Sequence, residues 1–472
     1  MNSNRRKFLR NVTLSAGALA TQVTVKADEQ DRNHSQSGIR NPEFNMCGYA
    51  APKLNTVRVG IIGLGGRGTG AVDRLSYIDG LEIVALCDKR PDRVENAQGI
   101  LKKVGRPAAR SYSGEEGWKA LCDSKDIDLV YTPTPWSLHT PIAVYAMEHG
   151  KHVCTEVPAA QSIEQCWQLV DTSEKTRKHC MMLENCCYDF FELLTLNMVR
   201  NGLFGELIHA EGAYIHNLST DYLFKKDGYS DMWRLKENAN RNGNLYPTHG
   251  LGPIAQCLNI NRGDRMDHLV SMSTNDFTLG ALAKEMAATD DFFKPYVGKP
   301  YRGNMNTTLV RTVNGKSIMV QHDVSSPRPY SRIHLLSGTK GMASKWPAPE
   351  RIAFGHEEVK PEELKDLYEK YSPPIVKHIG NIAKEVGGHG GMDFIMDWRT
   401  IDCLRNGLPL DQDVYDAATW SAVGLLSEQS VANKSRTVDV PDFTRGNWKN
   451  NKPHDLTLNG GGNTGVRKVK SS

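Results

Sequence analysis

Val57-Arg58-Val59-Gly60-Ile61-Ile62-Gly63-Leu64-Gly65-Gly66-Arg67-Gly68 opens the globular part of this 472-residue chain. Its first six residues are rich in β-branched side chains and predict a strand, the glycines predict a tight turn, and the residues on to Leu75 predict a helix. In such a loop the first glycine permits the turn, the second lets backbone approach a pyrophosphate, and the last lets helix and strand pack closely. Asp88 ends the next strand, 20 residues after Gly68, where a carboxylate can accept hydrogen bonds from an adenosine ribose. Strand, loop, helix and acid in this order imply a bound nicotinamide dinucleotide. Asp88 favours NAD because a carboxylate repels a 2′-phosphate, while Lys89 and Arg90 leave NADP open.

Working outward, Glu82–Leu86, Ile127–Tyr131, Lys151–Thr155 and Cys180–Leu183 continue the series of short apolar runs separated by segments of helical length. Strands alternating with helices predict a Rossmann-type parallel sheet over residues 56–180. Two of these strands run into Thr132-Pro133-Thr134-Pro135-Trp136-Ser137-Leu138-His139 and Glu156-Val157-Pro158, loops on the face where such sheets bind ligands. Residues 181–450 read differently, with runs at Leu207–Tyr214, Leu269–Ser273, Asn306–Val313, Lys316–His322 and Ser331–Leu336 and an Asn314-Gly315 hairpin signal. They predict an α+β domain on a mainly antiparallel sheet, with helices over Met392–Asn406 and Val414–Lys434. The fold class is therefore α/β, and residues 451–472, with Gly460–Gly465, are expected to form a flexible tail.

The ends and the composition bound the function. Asn4-Arg5-Arg6-Lys7-Phe8-Leu9-Arg10 followed by an uncharged run to Val25 predicts a twin-arginine export signal over residues 1–27 and a periplasmic destination. The run is too short for a membrane span, which needs ~20 apolar residues. Residues 28–55 are polar and predict a linker or arm. A net charge of +4, with basic residues scattered among 54 acidic ones, argues against a nucleic-acid partner. The 10 cysteines lack paired zinc spacing and are expected to be buried thiols. His389 and Asp393 in Gly387-Gly388-His389-Gly390-Gly391-Met392-Asp393 invite a metal reading, but no His-x-x-x-His or His-Glu pair has the spacing to bind from one helix face, so no metal site is expected.

The glycine loop, Asp88, the segment ending at His139 and Glu156-Val157-Pro158 together resemble the glucose-fructose oxidoreductase and inositol dehydrogenase superfamily. Members usually carry a proton-relay lysine where Val157 stands, a departure that weighs against ordinary sugar dehydrogenation. Asn242-Gly243-Asn244-Leu245-Tyr246-Pro247-Thr248-His249-Gly250, the Gly387–Asp393 segment and Val440-Pro441-Asp442-Phe443 resemble glycoside hydrolase family 109, from Val57 to Lys449. That resemblance implies NAD-dependent hydrolysis of N-acetylgalactosaminides, and a glycan partner ending in an N-acetylhexosamine. It implies that Gly66, Arg67, Asp88, Trp136, Ser137, Leu138, His139, Glu156, Val157, Asn185 and Tyr246 surround NAD, alongside Gly63, Gly65 and Gly68. Tyr214, Arg234, Tyr246, Pro247, Thr248, His249 and Tyr330 would line the sugar site. The superfamily's second-domain sheet often mediates dimers, so the resemblance allows a homo-oligomer and leaves the oligomeric state open.

Most glycosidases use two carboxylates, but NAD-dependent families are exceptions. Removing hydride from carbon 3 of the sugar acidifies the carbon 2 proton and permits elimination at carbon 1, after which water adds and the hydride returns. This route needs a base for the hydroxyl, for which His249 has a suitable pKa range. Tyr246 would share the relay or serve at carbon 2, with Tyr188 as a second candidate, and Arg234 would hold a sugar hydroxyl or acetamide carbonyl. An exported NAD(P)-dependent sugar oxidoreductase is the alternative on the same fold.

Overall fold

Val57–Ile62 forms a buried strand, β1, paired in parallel with β2 (Leu81–Asp88) on one side and β4 (Leu129–Thr132) on the other. The computed structural model describes residues 44–467, so the expected export signal at 1–27 lies outside the described residues. With β3 (Arg110–Ser113), β5 (His152–Thr155) and β6 (Cys180–Met182) they make a six-stranded parallel sheet in the order β3-β2-β1-β4-β5-β6. The order reverses between β1 and β4, which opens a crevice at the carboxyl ends of those strands. β3 is absent from the sequence expectation because an edge strand, largely exposed, needs no apolar run. β6 also runs past the expected boundary at residue 180.

The second sheet comprises β7 (Leu207–Ile215), β8 (Met266–Ser273), β9 (Asn306–Thr312), β10 (Ser317–Asp323), β11 (Leu335–Gly338), β12 (Gly341–Ser344), β13 (Arg351–Phe354), β14 (Glu357–Glu358) and β15 (Val438–Asp439). Its order is β14-β13-β12-β11-β7-β10-β9-β8-β15, antiparallel except for the β7–β10 pair. Asn314-Gly315 makes the expected hairpin, with Gly315 at φ 86°. The run Ser331–Leu336 becomes a strand only from Leu335, because Ile333 and His334 adopt φ of 60° and 50° and break the ladder.

Two helices from the second half, Met392–Asn406 and Val414–Ala432, are buried on almost every face and carry Trp398 and Trp420 into the core. They pack against elements of the first sheet and are pinned there by polar contacts. Arg74 Nε donates to Asp397 at 2.9 Å, the Tyr131 hydroxyl to Asp397 at 3.0 Å, and Ala159 N–H to Ser421 Oγ at 3.0 Å. The helix expected to reach Lys434 ends at Ala432, with Lys434 and Ser435 at positive φ.

Both expected loose segments are ordered where they are described. In the arm, Met46 is buried with its N–H on the Tyr415 hydroxyl at 3.1 Å, and Leu54 N–H donates to Leu404 O at 3.1 Å. In the tail, Thr464 Oγ1 and Gly462 N–H each reach Asp402 at 2.8 Å, Trp398 Nε1 donates to Thr464 O at 3.0 Å, and Val466 bridges to Ile78. Composition misjudged the tail because the buried Asp402 carboxylate, distant in sequence, accepts from the Thr464 hydroxyl and the Gly462 N–H. All ten cysteines are unpaired, and all but Cys47 are buried. Among the described residues no helix is long and apolar enough to cross a membrane.

Candidate active site

The four loop glycines divide into two pairs. A Cβ on Gly68 would lie 1.9 Å from Gly63 O, and one on Gly63, at φ 96°, would lie 2.9 Å from Thr134 Cγ2. Those two glycines let the helix Gly66–Leu75 press against β1 and the β4 loop. A Cβ on Gly65 would meet only the tip of Arg93 at 3.6 Å, and one on Gly66 nothing within 4 Å, so their backbone is open. No side chain caps this helix N-terminus and no acid stands in its first turn, which suits an anion. The Asp88 carboxylate accepts from Leu64 N–H at 2.7 Å and Arg90 N–H at 2.9 Å, bracing the loop while keeping acceptor capacity for a ribose. These residues fit a dinucleotide.

Arg67 leads from this loop to the rest of the site. Its Nε donates to Glu156 Oε1 at 2.7 Å and its Nη1 to Asp393 Oδ2 at 2.9 Å, with His389 Nδ1 3.3 Å away. Asp393 also accepts from Asn185 Nδ2 at 2.5 Å. Burial pushes the Asp393 carboxyl up, but His389, Arg67 and Arg74 outweigh it and hold the group well below the usual carboxylate range. Val157 is buried beside Glu156, while Ser137 and Leu138 are exposed where their helix begins. The His139 side chain does not face the crevice: it is fully buried, with Nδ1 2.7 Å from Pro158 O and Nε2 2.8 Å from Thr134 O. It joins the two ligand-face loops, and burial holds its pKa below the ordinary value.

The expected sugar-site residues converge around Tyr246, which stacks on Trp136 at 5.7 Å between ring centroids. Tyr214 packs on Tyr246 at 4.9 Å and on His249 at 5.3 Å, and Tyr330 stands edge-on to Tyr214 at 6.2 Å. Arg234 is buried within this group, its guanidinium carbon 4.7 Å from the Tyr246 ring centre and 5.5 Å from that of Trp136. Its Nη1 donates to the Tyr229 hydroxyl at 2.8 Å, whereas its Nη2 has no hydrogen-bond partner among the described residues. A desolvated cation–π contact is worth about 2 kcal/mol, so the rings offset part of the cost of burying this cation. They leave a free donor for a carbonyl or hydroxyl.

Helix Thr248–Cys257 is what places His249. Pro247 precedes its first turn and Thr248 is buried. A Cβ on Gly250 would fall 2.1 Å from Ala213 N, and one on Gly252 2.8 Å from Glu184 Cγ. Glycine therefore lets the helix lie against β7 on one side and the turn after β6 on the other. Tyr214 and Glu184 thereby flank His249, whose Nδ1 lies 2.7 Å from Glu184 Oε1. Burial pushes the Glu184 carboxyl up, but the His249 charge and hydrogen bond prevail and hold it below the ordinary value.

Tyr188 is not part of this cluster, contrary to expectation. It is buried with its hydroxyl 3.3 Å from Asp411, the carboxylate that also pairs with Arg399, because the turn after β6 directs Glu184 and Tyr188 to different surroundings. Sequence reasoning missed Glu184 and His216, whose Nδ1 lies 3.0 Å from the Tyr214 hydroxyl. Both carried a signal: Glu184 follows a strand at the ligand face, and His216 is two residues beyond Tyr214, on the same side of an extended chain. Cys186 also lies near, its Sγ and the donor atoms of Glu184 and His249 falling within 4.8 Å of one another.

Two family models match the chain. Residues 57–184 match the oxidoreductase family NAD-binding Rossmann fold, so the cofactor is NAD, and residues 188–450 match the glycosyl hydrolase 109 C-terminal domain. A protein of Bacteroides thetaiotaomicron called glycosyl hydrolase family 109 protein 1 is 48% identical over 467 residues, covering 94% of this chain and 97% of its own. An alpha-N-acetylgalactosaminidase of Bacteroides fragilis is 51% identical, covering 86% and 96%. Among solved structures, levoglucosan dehydrogenase in complex with NADH and levoglucosan aligns at 18% identity with a TM-score of 0.61, over 82% of this chain and all of the other. With both family models matched in order and half of all residues shared with relatives over nearly their full length, the chain belongs to glycosyl hydrolase family 109.

Proposed function

We propose that this glycoside hydrolase cleaves N-acetylgalactosaminides, α-linked, with NAD as a cofactor reduced and restored within each turnover. The observation that carries this reading is the Glu184–His249 pair, set in a Tyr, Trp and Arg pocket beside the dinucleotide loop. The 51% identical relative named alpha-N-acetylgalactosaminidase supports the substrate class.

Bound NAD supplies a reversible hydride acceptor, so a sugar hydroxyl can be oxidised and later restored without net redox change. The ionised Glu184 can only accept, so when His249 acts as a base its remaining proton stays on Nδ1 and Nε2 is the atom presented to that hydroxyl. Burial raises the Tyr246 hydroxyl pKa well above the ordinary value, which keeps it a neutral donor. That suits it to hold a sugar oxygen or protonate a leaving group, and makes it a poor resting base for the carbon 2 proton. The free Nη2 of Arg234 takes the acetamide carbonyl.

The purified protein, incubated with a nitrophenyl α-N-acetylgalactosaminide and no added NAD, is expected to release nitrophenol without accumulating NADH. Stoichiometric NADH formation would instead favour the oxidoreductase alternative. We also propose export through the twin-arginine route, which the Arg5-Arg6 segment supports and which Arg5→Lys with Arg6→Lys should abolish in a cell-fractionation assay. The open face of the second sheet, with Leu309 opposite Met319, supports a homo-oligomer. Light scattering that returned a monomer mass would exclude it.

A further inference from the structure

The loop Gly387–Gly391 belongs to neither half of the proton relay, yet it is the most unusual stretch of backbone near the site. Its five consecutive residues have φ of 92°, 83°, 47°, 74° and 106°. Four are glycine, which adopts such angles freely. A Cβ on Gly388 would lie 2.7 Å from Asp393 Cβ and 2.8 Å from Arg74 Cδ, so the loop is pressed onto the helix that follows the dinucleotide turn.

His389 is the exception, an L-residue in left-handed backbone with more than half of its side chain exposed, 55%. Packing does not account for it, and strain of this kind gathers at functional sites. Its Nδ1 lies 2.9 Å from Asp393 Oδ2 and 3.3 Å from Arg67 Nη1, which fixes the ring and leaves Nε2 without a hydrogen-bond partner among the described residues. Arg67 meanwhile joins three segments: the glycine loop, Glu156 at the end of β5, and Asp393 at the start of helix Met392–Asn406. All three meet at Arg67, the residue that follows the open backbone of Gly65 and Gly66 in the chain.

We propose that the Gly387–Gly391 loop, through His389 and the Arg67–Asp393 pair, is a latch on the dinucleotide site that keeps NAD bound between turnovers. The second domain reaches across the cofactor loop and fastens to it, and His389 Nε2 is the ring atom left to meet the cofactor. Two carboxylates, Glu156 and Asp393, face Arg67, so the closure is an interlock of hydrogen bonds and not a surplus of positive charge. The inference rests on NAD being the cofactor and is independent of which sugar is cleaved.

The test is the rate at which NAD bound to the full-length protein exchanges with labelled NAD in solution. In His389→Gly the backbone angles carry no penalty and the imidazole is gone. This variant should melt at the wild-type temperature or above when free of cofactor, yet exchange NAD at least tenfold faster. Asp393→Asn, which weakens the link to Arg67, should also exchange faster, and Asp393→Glu should restore part of the retention. Wild-type exchange in His389→Gly overturns the proposal whatever Asp393→Asn does, because Asp393 would then brace Arg67 without any latch. Loss of glycosidase activity with unchanged exchange likewise overturns it, and leaves the proposed function untouched.

Discussion

Glu184 and His249 lie 65 positions apart in sequence, yet their Oε1 and Nδ1 atoms are 2.7 Å apart, with Glu184 wholly buried and His249 only partly so. A buried acceptor behind a partly exposed imidazole fixes which ring nitrogen carries the proton, as in other histidine bases oriented by a carboxylate.

Glu184→Gln preserves the shape of that pair but replaces an acceptor by a group that also donates. We expect kcat to fall by about 10²–10⁴-fold, the usual contribution of a positioned base. NAD content, read by absorbance after denaturation, should stay at the wild-type level. Loss of both together would mean that Glu184 serves the fold and not the base.

Arg234→Lys keeps the charge and removes the planar fork. It should lower kcat/KM on the aryl glycoside by about 10- to 100-fold, the worth of one charge-assisted hydrogen bond. An analogue lacking the acetamide carbonyl should show a much smaller difference between the two proteins. Equal losses on both substrates would remove the carbonyl assignment.

Gly68→Ala and Gly66→Ala separate the two jobs of the loop glycines. The first forces a methyl against Gly63 O, so the protein should melt lower and purify with little NAD. The second meets no described atom within 4 Å, so the melting temperature should hold while NAD binding weakens. Titration of NAD against cofactor-free protein measures both.

Acid should destabilise the fold in two stages. His334 and His179 are buried, which pushes their pKa values down to about 3 and about 4 from an ordinary 6.5. The unfolded chain therefore binds more protons as pH drops below 6.5, and stability is lost from there toward 3. Burial pushes Glu192 up, but Arg332 and Lys345 outweigh it and bring the carboxyl to about 2 from an ordinary 4.5. Its contribution is present above 4.5 and disappears as pH falls to 2. Glu192→Gln should melt well below wild type at pH 7, since it leaves Arg332 and Lys345 short of a partner, and the two melting curves should converge near pH 2.

The adenosine end of the site was legible in consecutive residues. A strand, a glycine turn, a helix and Asp88 interact within a few turns of chain, so their spacing carries their geometry. Tyr246 and His249, three residues apart across the point where a helix begins, were legible as a pair, while the direction of Tyr188 was not. A side chain near a turn takes the partner that packing offers, and the Asp411–Arg399 pair claimed the Tyr188 hydroxyl.

Consecutive residues were enough for the parallel sheet, the dinucleotide loop and the residue types of the sugar site, because periodicity and glycine spacing act over short stretches of chain. It took the folded chain to show that Glu184 serves His249, that Arg67 meets Asp393 326 positions away, and that the glycine-rich tail is bound to Asp402. The first of these contacts arises where Gly250 and Gly252 let a helix lie against β7 and the turn after β6. Close packing of distant segments leaves no periodic trace in either of them.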